Sequence, residues 1–445
     1  MPEPLSDLRA LATAIRTGEL SPTEHVADVL DRLAADPYGL VVTLDAERAL
    51  ATAAALTEEL ARGAARGPLH GVALGVKDIV DVAGLPTRCG SDLFADAAPA
   101  AADAVAVARL RAAGAVVVAK LHTHEFAYGP TGDVSASGPA RNPHDPSRIT
   151  GGSSSGPAAA VAAGYVALAL GTDTGCSVRT PAAHCGVVGL KPGHGRVPTD
   201  GVFPLAESLD HVGLLAADAR GAALGWDALH PGAGPADAGP SDAADLTGLT
   251  VCVPDDEHWD TVDPVIADAR DAAARAAEAA GARVVHRRLP QCAELAAAYP
   301  LIVGGEAYAT HRRSLAERPE AYQRVTRERL EAVADLPAHR YVHAQRARRR
   351  LTAELRGALD GVDVVLTPTT RLRATPIGVD EVDGVGVRPS LLALTSPFNL
   401  TGWPAVSVPV PPRDGGLPVG AQVVGVTADE HGVLRVAGAI EQLRG

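Results

Sequence analysis

Residues 150–179 constrain the fold of this chain more than any other segment; they read TGGSSSGPAAAVAAGYVALALGTDTGCSVR. Two loops rich in serine and glycine flank residues 157–170, whose small and apolar side chains predict a tightly packed helix running into a buried strand. We expect the two loops to meet around a reacting group. The candidate residues are Ser177 as a nucleophile, Ser153 beside it, and Lys77 from an upstream segment.

Composition and charge exclude several classes of protein. Of the 445 residues, 47% are hydrophobic and 21% are charged, which is typical of a globular enzyme and not of a disordered chain. The net charge of −13 disfavours nucleic acids and anionic membranes as partners. Residues 346–350 (RARRR) are a local basic exception, interpreted as a solvated helix face paired with nearby acids rather than as a nucleic-acid patch.

Cysteine usage and the N-terminal sequence indicate a cytoplasmic protein. The five cysteines are scattered and form no C-x-x-C pair, which argues against a disulfide framework or a structural zinc site. The first 20 residues form a polar-apolar helical pattern with acids, unlike a signal peptide, and no apolar run reaches the ~18 residues of a membrane span.

Predicted helices and strands alternate along the chain, which favours a layered α/β fold. Ser21-Pro22-Thr23-Glu24 is a capping-box start for one helix. Helices are predicted within residues 5–35 and over 45–62, 103–113, 264–280, 432–443 and most of 290–358. Strands are predicted to start at residue 69 and to cover 114–119, 249–254, 281–285, 362–367, 395–411 and 420–426. We predict one domain over 1–445, with its core at about 65–215, a helical insertion at about 290–358, and residues 231–247 as the most linker-like segment.

The chemistry of Ser177 requires a base and an oxyanion site. A serine hydroxyl is a weak nucleophile, and the glycine-rich turn before Ser177 can aim successive backbone N–H groups at one point. The two loops contain no histidine, whereas Lys77 lies in apolar surroundings. Burial could lower the pKa of Lys77 from its reference of about 10.4, and Ser153 could then pass the proton from Ser177 to Lys77. The alternative is a strand-edge lysine paired with Asp78.

Two rival chemistries have partial support in the sequence. His122 and His124 follow a predicted strand, as in metal-dependent hydrolases, but no later histidine ends a convincing strand, so polar loop residues lining a cleft are favoured over a metal site. Residues 152–156 formally fit the G-x-S-x-G nucleophile elbow. That motif requires an apolar strand before it, and the preceding residues 141–148 read as a loop.

Four motifs together resemble the amidase signature hydrolases. They are VKD at 76–78, GGSSSG at 151–156, GTDTGCSVR at 171–179 and CGVVGLKP at 185–192, with the two key serines 24 positions apart. The resemblance is strong over about 60–215 and softer over 395–440. It implies an α/β/α sandwich with a large mixed central sheet covered by helices.

The same resemblance implies a mechanism and its residues. Lys77, Ser153 and Ser177 would form a Ser–cis-Ser–Lys triad acting on an amide, with a cis peptide bond before Ser153. Backbone N–H groups would hold the oxyanion, and a buried pair would brace the nucleophile loop. The oxyanion residues are Thr174, Gly175, Cys176 and Ser177, and the supporting pair is Asp173 and Arg179. The family implies a small-molecule amide substrate, no cofactor and no metal, and it leaves a homodimer open.

Two positions depart from the family pattern. Cys176 and Ser155 stand where glycine is common, and a side chain at Cys176 would cost about 1 kcal/mol or more if that residue needed a positive φ. Two alternatives to an independent amidase stay open. One is the glutaminase-like subunit of a tRNA-dependent amidotransferase, a member of the same family, and the other is a relative impaired at Cys176 that acts as a binding protein.

Overall fold

Strands from both ends of the chain share one large sheet. The computed structural model describes residues 7–231 and 245–444, so most of the linker-like segment 231–247 lies outside the described residues. The strands are β1 Val41–Leu44, β2 Ala73–Lys77, β3 Val116–Leu121, β4 Arg141–Asn142, β5 Asp145–Ile149, β6 Leu168–Asp173, β7 Val188–Lys191, β8 His211–Ala216, β9 Thr250–Pro254, β10 Arg283–Arg287, β11 Val364–Pro368, β12 Glu381–Val382, β13 Val385–Gly386, β14 Ala405–Val410 and β15 Val419–Gly425.

The main sheet is mixed and has 11 strands in the order β1-β3-β2-β6-β8-β7-β14-β15-β11-β9-β10. The neighbours β3, β2 and β6 run parallel, and β8 then pairs with β6 in the antiparallel sense. The pairs β4–β5 and β12–β13 are separate two-stranded sheets.

Helices cover the sheet on both faces, as the family resemblance predicted. They are α1 Leu8–Thr17, α2 Pro22–Ala34, α3 Ala46–Ala61, α4 Val105–Ala112, α5 Ser155–Ala162, α6 Arg179–Cys185, α7 Ala219–Leu229, α8 Glu257–Asp260, α9 Pro264–Ala279, α10 Gln291–Glu317, α11 Arg324–Glu331, α12 Ala338–Ala358, α13 Val387–Leu392, α14 Ser396–Thr401 and α15 Glu430–Glu441. Successive residues of one strand face opposite sides. In β6, Leu168 and Leu170 join one apolar core while Ala169 joins the other.

Sequence patterns predicted most helices and strands to within a few residues of their observed ends. The capping box at Ser21 is present, because its hydroxyl accepts from Glu24 N while the Glu24 carboxylate accepts from Ser21 N. The predicted strand over 395–411 was wrong in its first half, which forms α14 and ends at Gly402 with φ 73°. Of the main sheet, strands β1, β7 and β8 were missed, two of them in a region punctuated by glycine and proline.

Residues 291–358 are mostly helical, as predicted, and form α10, α11 and α12. Its status as an insertion into a single domain stays a prediction. The basic run 346–350 is only partly a solvated face: Arg350 pairs with Glu354, but Arg348 turns inward and donates to the carbonyls of Leu400 and Ser208. Among the described residues, no helix has the length and apolar character to cross a membrane.

Parallel pairing brings the chemistry-bearing residues to one sheet edge. Strand β2 ends at Lys77 and its parallel neighbour β6 ends at Asp173. On the other side of β2, parallel β3 ends at Leu121 and leads into His122. The carboxyl ends of parallel strands are where α/β sheets bind ligands.

We predict that Gly156→Ala destabilises the fold. A Cβ at Gly156 would lie 2.4 Å from His122 N, a backbone atom, so α5 would have to move away from the end of β3. Overpacking of this kind costs about 1–3 kcal/mol. The melting temperature measures it, and the control is Gly357→Ala in α12, where a Cβ meets nothing within 4 Å. Equal melting temperatures for the two variants would contradict the close packing.

Candidate active site

Lys77 is fully buried at the end of β2, and its amine donates to two hydroxyl groups. Its Nζ lies 2.8 Å from Ser153 Oγ and 2.7 Å from Thr172 Oγ1. The alternative pairing with Asp78 was wrong, because Asp78 instead pairs with Lys120 at 2.9 Å. Extended backbone alternation explains the difference, since Lys77 ends β2 and the side chain of the next residue, Asp78, points the opposite way.

Burial determines the protonation of Lys77. Removal from water lowers the pKa of Lys77 to about 7, against the opposing charges of Asp173 and Asp210. In the described part of the chain, no carboxylate lies within 4 Å of its Nζ. A neutral amine, able to accept a proton, is therefore well populated at neutral pH.

Lysine is rare in this chain, and every lysine is buried. Of the 40 Lys and Arg residues, only Lys77, Lys120 and Lys191 are lysines, and each has a relative exposure of 0%. Lys191 Nζ donates to the carbonyls of Pro192 and Trp403, and burial lowers its pKa far below the ordinary value. Sequence reasoning singled out Lys77 alone, although the scarcity of lysine marked all three positions.

The two serine-rich loops meet, as the sequence predicted. The peptide bond between Gly152 and Ser153 is cis. Ser154 N donates to Ser177 O at 3.1 Å, and Cys176 Sγ donates to Gly152 O at 3.6 Å. Among the described residues, no hydrogen bond joins the hydroxyls of Ser153 and Ser177. Catalytic hydrogen bonds often tighten only when substrate binds.

Ser155 fastens the first loop to the end of β3. Its Oγ lies 2.7 Å from His122 Nδ1, and His122 Nε2 lies 2.8 Å from Gly138 O. An N–H at Nε2 that donates to the carbonyl leaves Nδ1 to accept from Ser155. Burial lowers the pKa of His122 to about 4, so this ring is neutral.

The turn before Ser177 presents unused backbone donors. Within the described ranges, the N–H groups of Thr174, Gly175, Cys176 and Ser177 donate to no other protein group. Cys176 is absent from the residues with positive φ, so its side chain carries none of the backbone cost that a left-handed residue would impose. Gly175 is the position that needs glycine, since a Cβ there would lie 2.4 Å from the hydroxyl oxygen of Tyr299 in α10.

A buried ion pair ties the nucleophile turn to distant segments. Arg179 Nε and NH2 lie 2.9 and 2.8 Å from the two carboxylate oxygens of Asp173. Arg179 also donates to Thr395 O and to the side-chain oxygens of Gln422 and Asn399. Burial alone would raise the pKa of Asp173, but Arg179 and the hydrogen bonds hold it well below its ordinary value. The family resemblance implied this pairing, and the supporting role of the two residues stays a prediction.

A match to a protein-family model identifies the family of this chain. The family model Amidase matches residues 24–434, nearly the whole chain. The chain belongs to the amidase family. The matched range contains both serine loops, Lys77 and the buried ion pair, and it confirms the resemblance seen in the four motifs.

Relatives of this amidase-family chain include hydrolases and amidotransferase subunits. The AtzE subunit of 1-carboxybiuret hydrolase from Pseudomonas sp. (strain ADP) is 37% identical over 411 residues, which cover 89% of each chain. A glutamyl-tRNA(Gln) amidotransferase subunit of Geobacter metallireducens is 35% identical, with 98% of this chain and 96% of that protein covered. A crystal structure of an amidase superposes with a TM-score of 0.90 at 38% identity over 98% of this chain and 99% of that one.

Sequence reasoning missed several polar residues of this amidase site. Thr172 is the second contact of the Lys77 amine. Asp210 accepts from the Thr174 hydroxyl and from Leu205 N and Ala206 N, and burial raises its pKa to about 7. Asn399 donates to the Asp173 carboxylate from a segment interpreted as a strand. The available signal was an amide between two apolar residues at Asn399.

The His-x-His motif contributes to packing around the first loop. Both ring nitrogens of His122 are occupied by Ser155 and Gly138. His124 Nδ1 accepts from Gly132 N at 3.3 Å, and its Nε2 lies where a Cβ of Gly129 would clash at 2.0 Å. No cluster of three or more metal-ligating side chains occurs among the described residues.

We predict that Arg179→Met strongly destabilises the protein. Removing the cation leaves a buried carboxylate at Asp173 unpaired, which costs about 3–5 kcal/mol. The control is Arg324→Met, which removes a solvent-exposed pair with Glu328 worth about 0–1 kcal/mol. Thermal unfolding measures both variants, and a fall in melting temperature no larger than that of the control would contradict the bracing role.

Proposed function

We propose that this amidase-family chain hydrolyses a carboxamide C–N bond through an acyl-enzyme on Ser177. Ser177 Oγ attacks the carbonyl carbon, and its proton passes through Ser153 to neutral Lys77. The protonated relay then returns that proton to the departing amine as the C–N bond breaks. Water attacks the acyl-enzyme by the same route, which releases the acid and restores Ser177.

The oxyanion of each tetrahedral intermediate would lie against the backbone donors of Thr174, Gly175, Cys176 and Ser177. These donors have no competing acceptor within the described ranges, so they need no rearrangement to receive developing negative charge. Asp173 and Arg179 would hold the turn in place without contacting substrate. Ser177 keeps 5% of its surface exposed while Ser153 and Lys77 have none, which suits a nucleophile reached by substrate and a relay closed to water.

One observation carries the proposal: a fully buried lysine, with no carboxylate within 4 Å among the described residues, contacts the hydroxyl of Ser153. An ordinary lysine at pH 7 is almost entirely protonated and cannot serve as a base. The low pKa of Lys77 removes that obstacle. The free N–H groups and unstrained Cys176 argue against the interpretation of the chain as an impaired binding protein.

A second candidate role is that of the glutaminase-like subunit in a tRNA-dependent amidotransferase. The observation that favours it is the similarity to a glutamyl-tRNA(Gln) amidotransferase subunit over 98% of this chain. Such a subunit would need partner chains for its reaction. Release of ammonia or amine by the purified chain alone, on a panel of primary amides, anilides and ureas, distinguishes the two. Robust turnover without partners would count against the amidotransferase role. Assembly into a homodimer stays a prediction.

We predict that Ser177→Ala abolishes turnover and that Lys77→Ala lowers kcat by about 10³-fold or more. Both rates would be measured as amine or ammonia release, with Ser147→Ala, at an exposed position of β5, as the control. A fluorophosphonate probe should label Ser177 in the unaltered protein. Near-normal rates for Lys77→Ala would refute the relay, and absence of labelling would support the binding-protein alternative.

We predict an acid limb in the pH profile of kcat/KM with an apparent pKa near 7. Below that pH, Lys77 is protonated and cannot accept the proton of Ser177, so the rate should fall about tenfold per pH unit. Above it, the rate should reach a plateau. The measurement uses a neutral amide, so that the substrate does not titrate. A profile that is flat from pH 5 to 9, or a limb near pH 10, would contradict a neutral Lys77.

A further inference from the structure

Two arginines from separate helices converge on Tyr128. Arg329 in α11 donates from NH1 to the backbone carbonyl of Tyr128 at 2.7 Å. The guanidinium carbon of Arg388 in α13 lies 5.6 Å from the centroid of the Tyr128 ring. Both side chains are half-buried. Two positive charges are thus held against one aromatic residue.

Neither guanidinium has an acidic partner. In the described part of the chain, no carboxylate lies within 4 Å of Arg329 or Arg388, and Arg388 Nε is buried with no hydrogen-bond acceptor. Burial and, second to it, the charge of Arg388 lower the pKa of Arg329 to about 10, while Tyr128 and, from beyond salt-bridge distance, Asp380 and Asp133 oppose the shift. With a pKa of about 10, Arg329 stays charged at neutral pH. Buried cations in proteins are normally paired, as Arg179 is with Asp173.

The arginine pair lies beside the nucleophile turn. Leu392, the last residue of α13, lies 2.9 Å from the position of a Cβ on Gly175. Arg388 precedes Leu392 by four positions, so the two side chains share one face of the helix. Tyr299 provides a second link: its hydroxyl also covers Gly175, and although burial raises its pKa, the charge of Arg388 opposes that shift.

We propose that Arg388 and Arg329 bind a carboxylate on the substrate, so that the enzyme prefers amide acids, the half-amides of short dicarboxylic acids. This inference rests on the proposed function and names its substrate class. A guanidinium presents a planar fork of N–H donors that matches the two oxygens of a carboxylate. An anion between the two arginines would offset the repulsion of their like charges. It would also accept from Arg388 Nε and orient the amide carbonyl towards Ser177.

A purely structural role explains these contacts less well. Stacking on Tyr128 would need one cation, and an apolar residue would fill the same space without the cost of burying a second charge. The net charge of the chain is −13, so attraction of an anionic substrate has to come from a local arrangement of this kind.

The test compares malonamate, succinamate and glutaramate with the matched neutral diamides malonamide, succinamide and glutaramide. Ammonia release gives kcat/KM for each, halved for the diamides because they have two equivalent amides. We expect at least one amide acid to exceed its diamide by about 100-fold or more, and this ratio to collapse in Arg388→Met and Arg329→Met. Arg388→Lys should give an intermediate ratio, because it keeps the charge and loses the fork. Arg324→Met, an exposed arginine of the same helix as Arg329, should retain the full ratio.

Calorimetry on Ser177→Ala measures binding without chemistry and separates the two proposals. If Ser177→Ala binds an amide acid and the double variant with Arg388→Met does not, the result supports the carboxylate site even if no turnover is found. Three outcomes would overturn the carboxylate site. Diamides could react or bind as well as the amide acids, the preference for amide acids could survive both methionine variants, or no amide acid could bind. Ser177 labelling by a fluorophosphonate with no preference for amide acids would leave the proposed hydrolase standing and refute the carboxylate site alone.

Discussion

The amine of Lys77 is held where water and carboxylates cannot reach it, and the rest of the site depends on that constraint. An ammonium in such a place is destabilised, so the neutral form becomes accessible at physiological pH. The two hydroxyls within hydrogen-bond distance, from Ser153 and Thr172, come from separate segments. The sheet must therefore place β2, β6 and the first serine loop together before the lysine can take the role of base that we propose for it.

The Asp173–Arg179 pair fixes the other part of the candidate site, the turn that leads to Ser177. It joins the end of β6 to the start of α6 and, through Gln422 and Asn399, to β15 and α14. The turn over 174–177 lies between the two members of the pair, so its free N–H groups are fixed by contacts outside the turn itself. A site built in this way is preorganised, which is the main requirement for stabilising an oxyanion.

Motif spacing predicted which loops meet, whereas local pattern misplaced some of the elements. Lys77, Ser153 and Ser177 were singled out from two loops and one lysine in apolar surroundings; the loops do meet, and the catalytic roles of the three residues stay predictions. Asp210 and Asn399 were missed because each acts through tertiary contacts that no spacing reveals. Ser396–Thr401 was interpreted as part of a strand because its apolar residues carry no period, and only the left-handed Gly402 marks the helix end. The backbone cost expected at Cys176 does not arise, since its φ is not positive.

The charge state of Lys77 is the central claim, and this chain allows it to be observed directly. Only three lysines are present, so lysine labelled with ¹³C and ¹⁵N gives a spectrum with three sets of side-chain signals, assigned by replacing Lys77. Titration of the ¹³Cε shift measures the pKa of the amine. We expect the Lys77 signal to titrate near pH 7. A Lys77 signal that stays that of an ammonium up to about pH 10, the ordinary range of lysine, would contradict a neutral base.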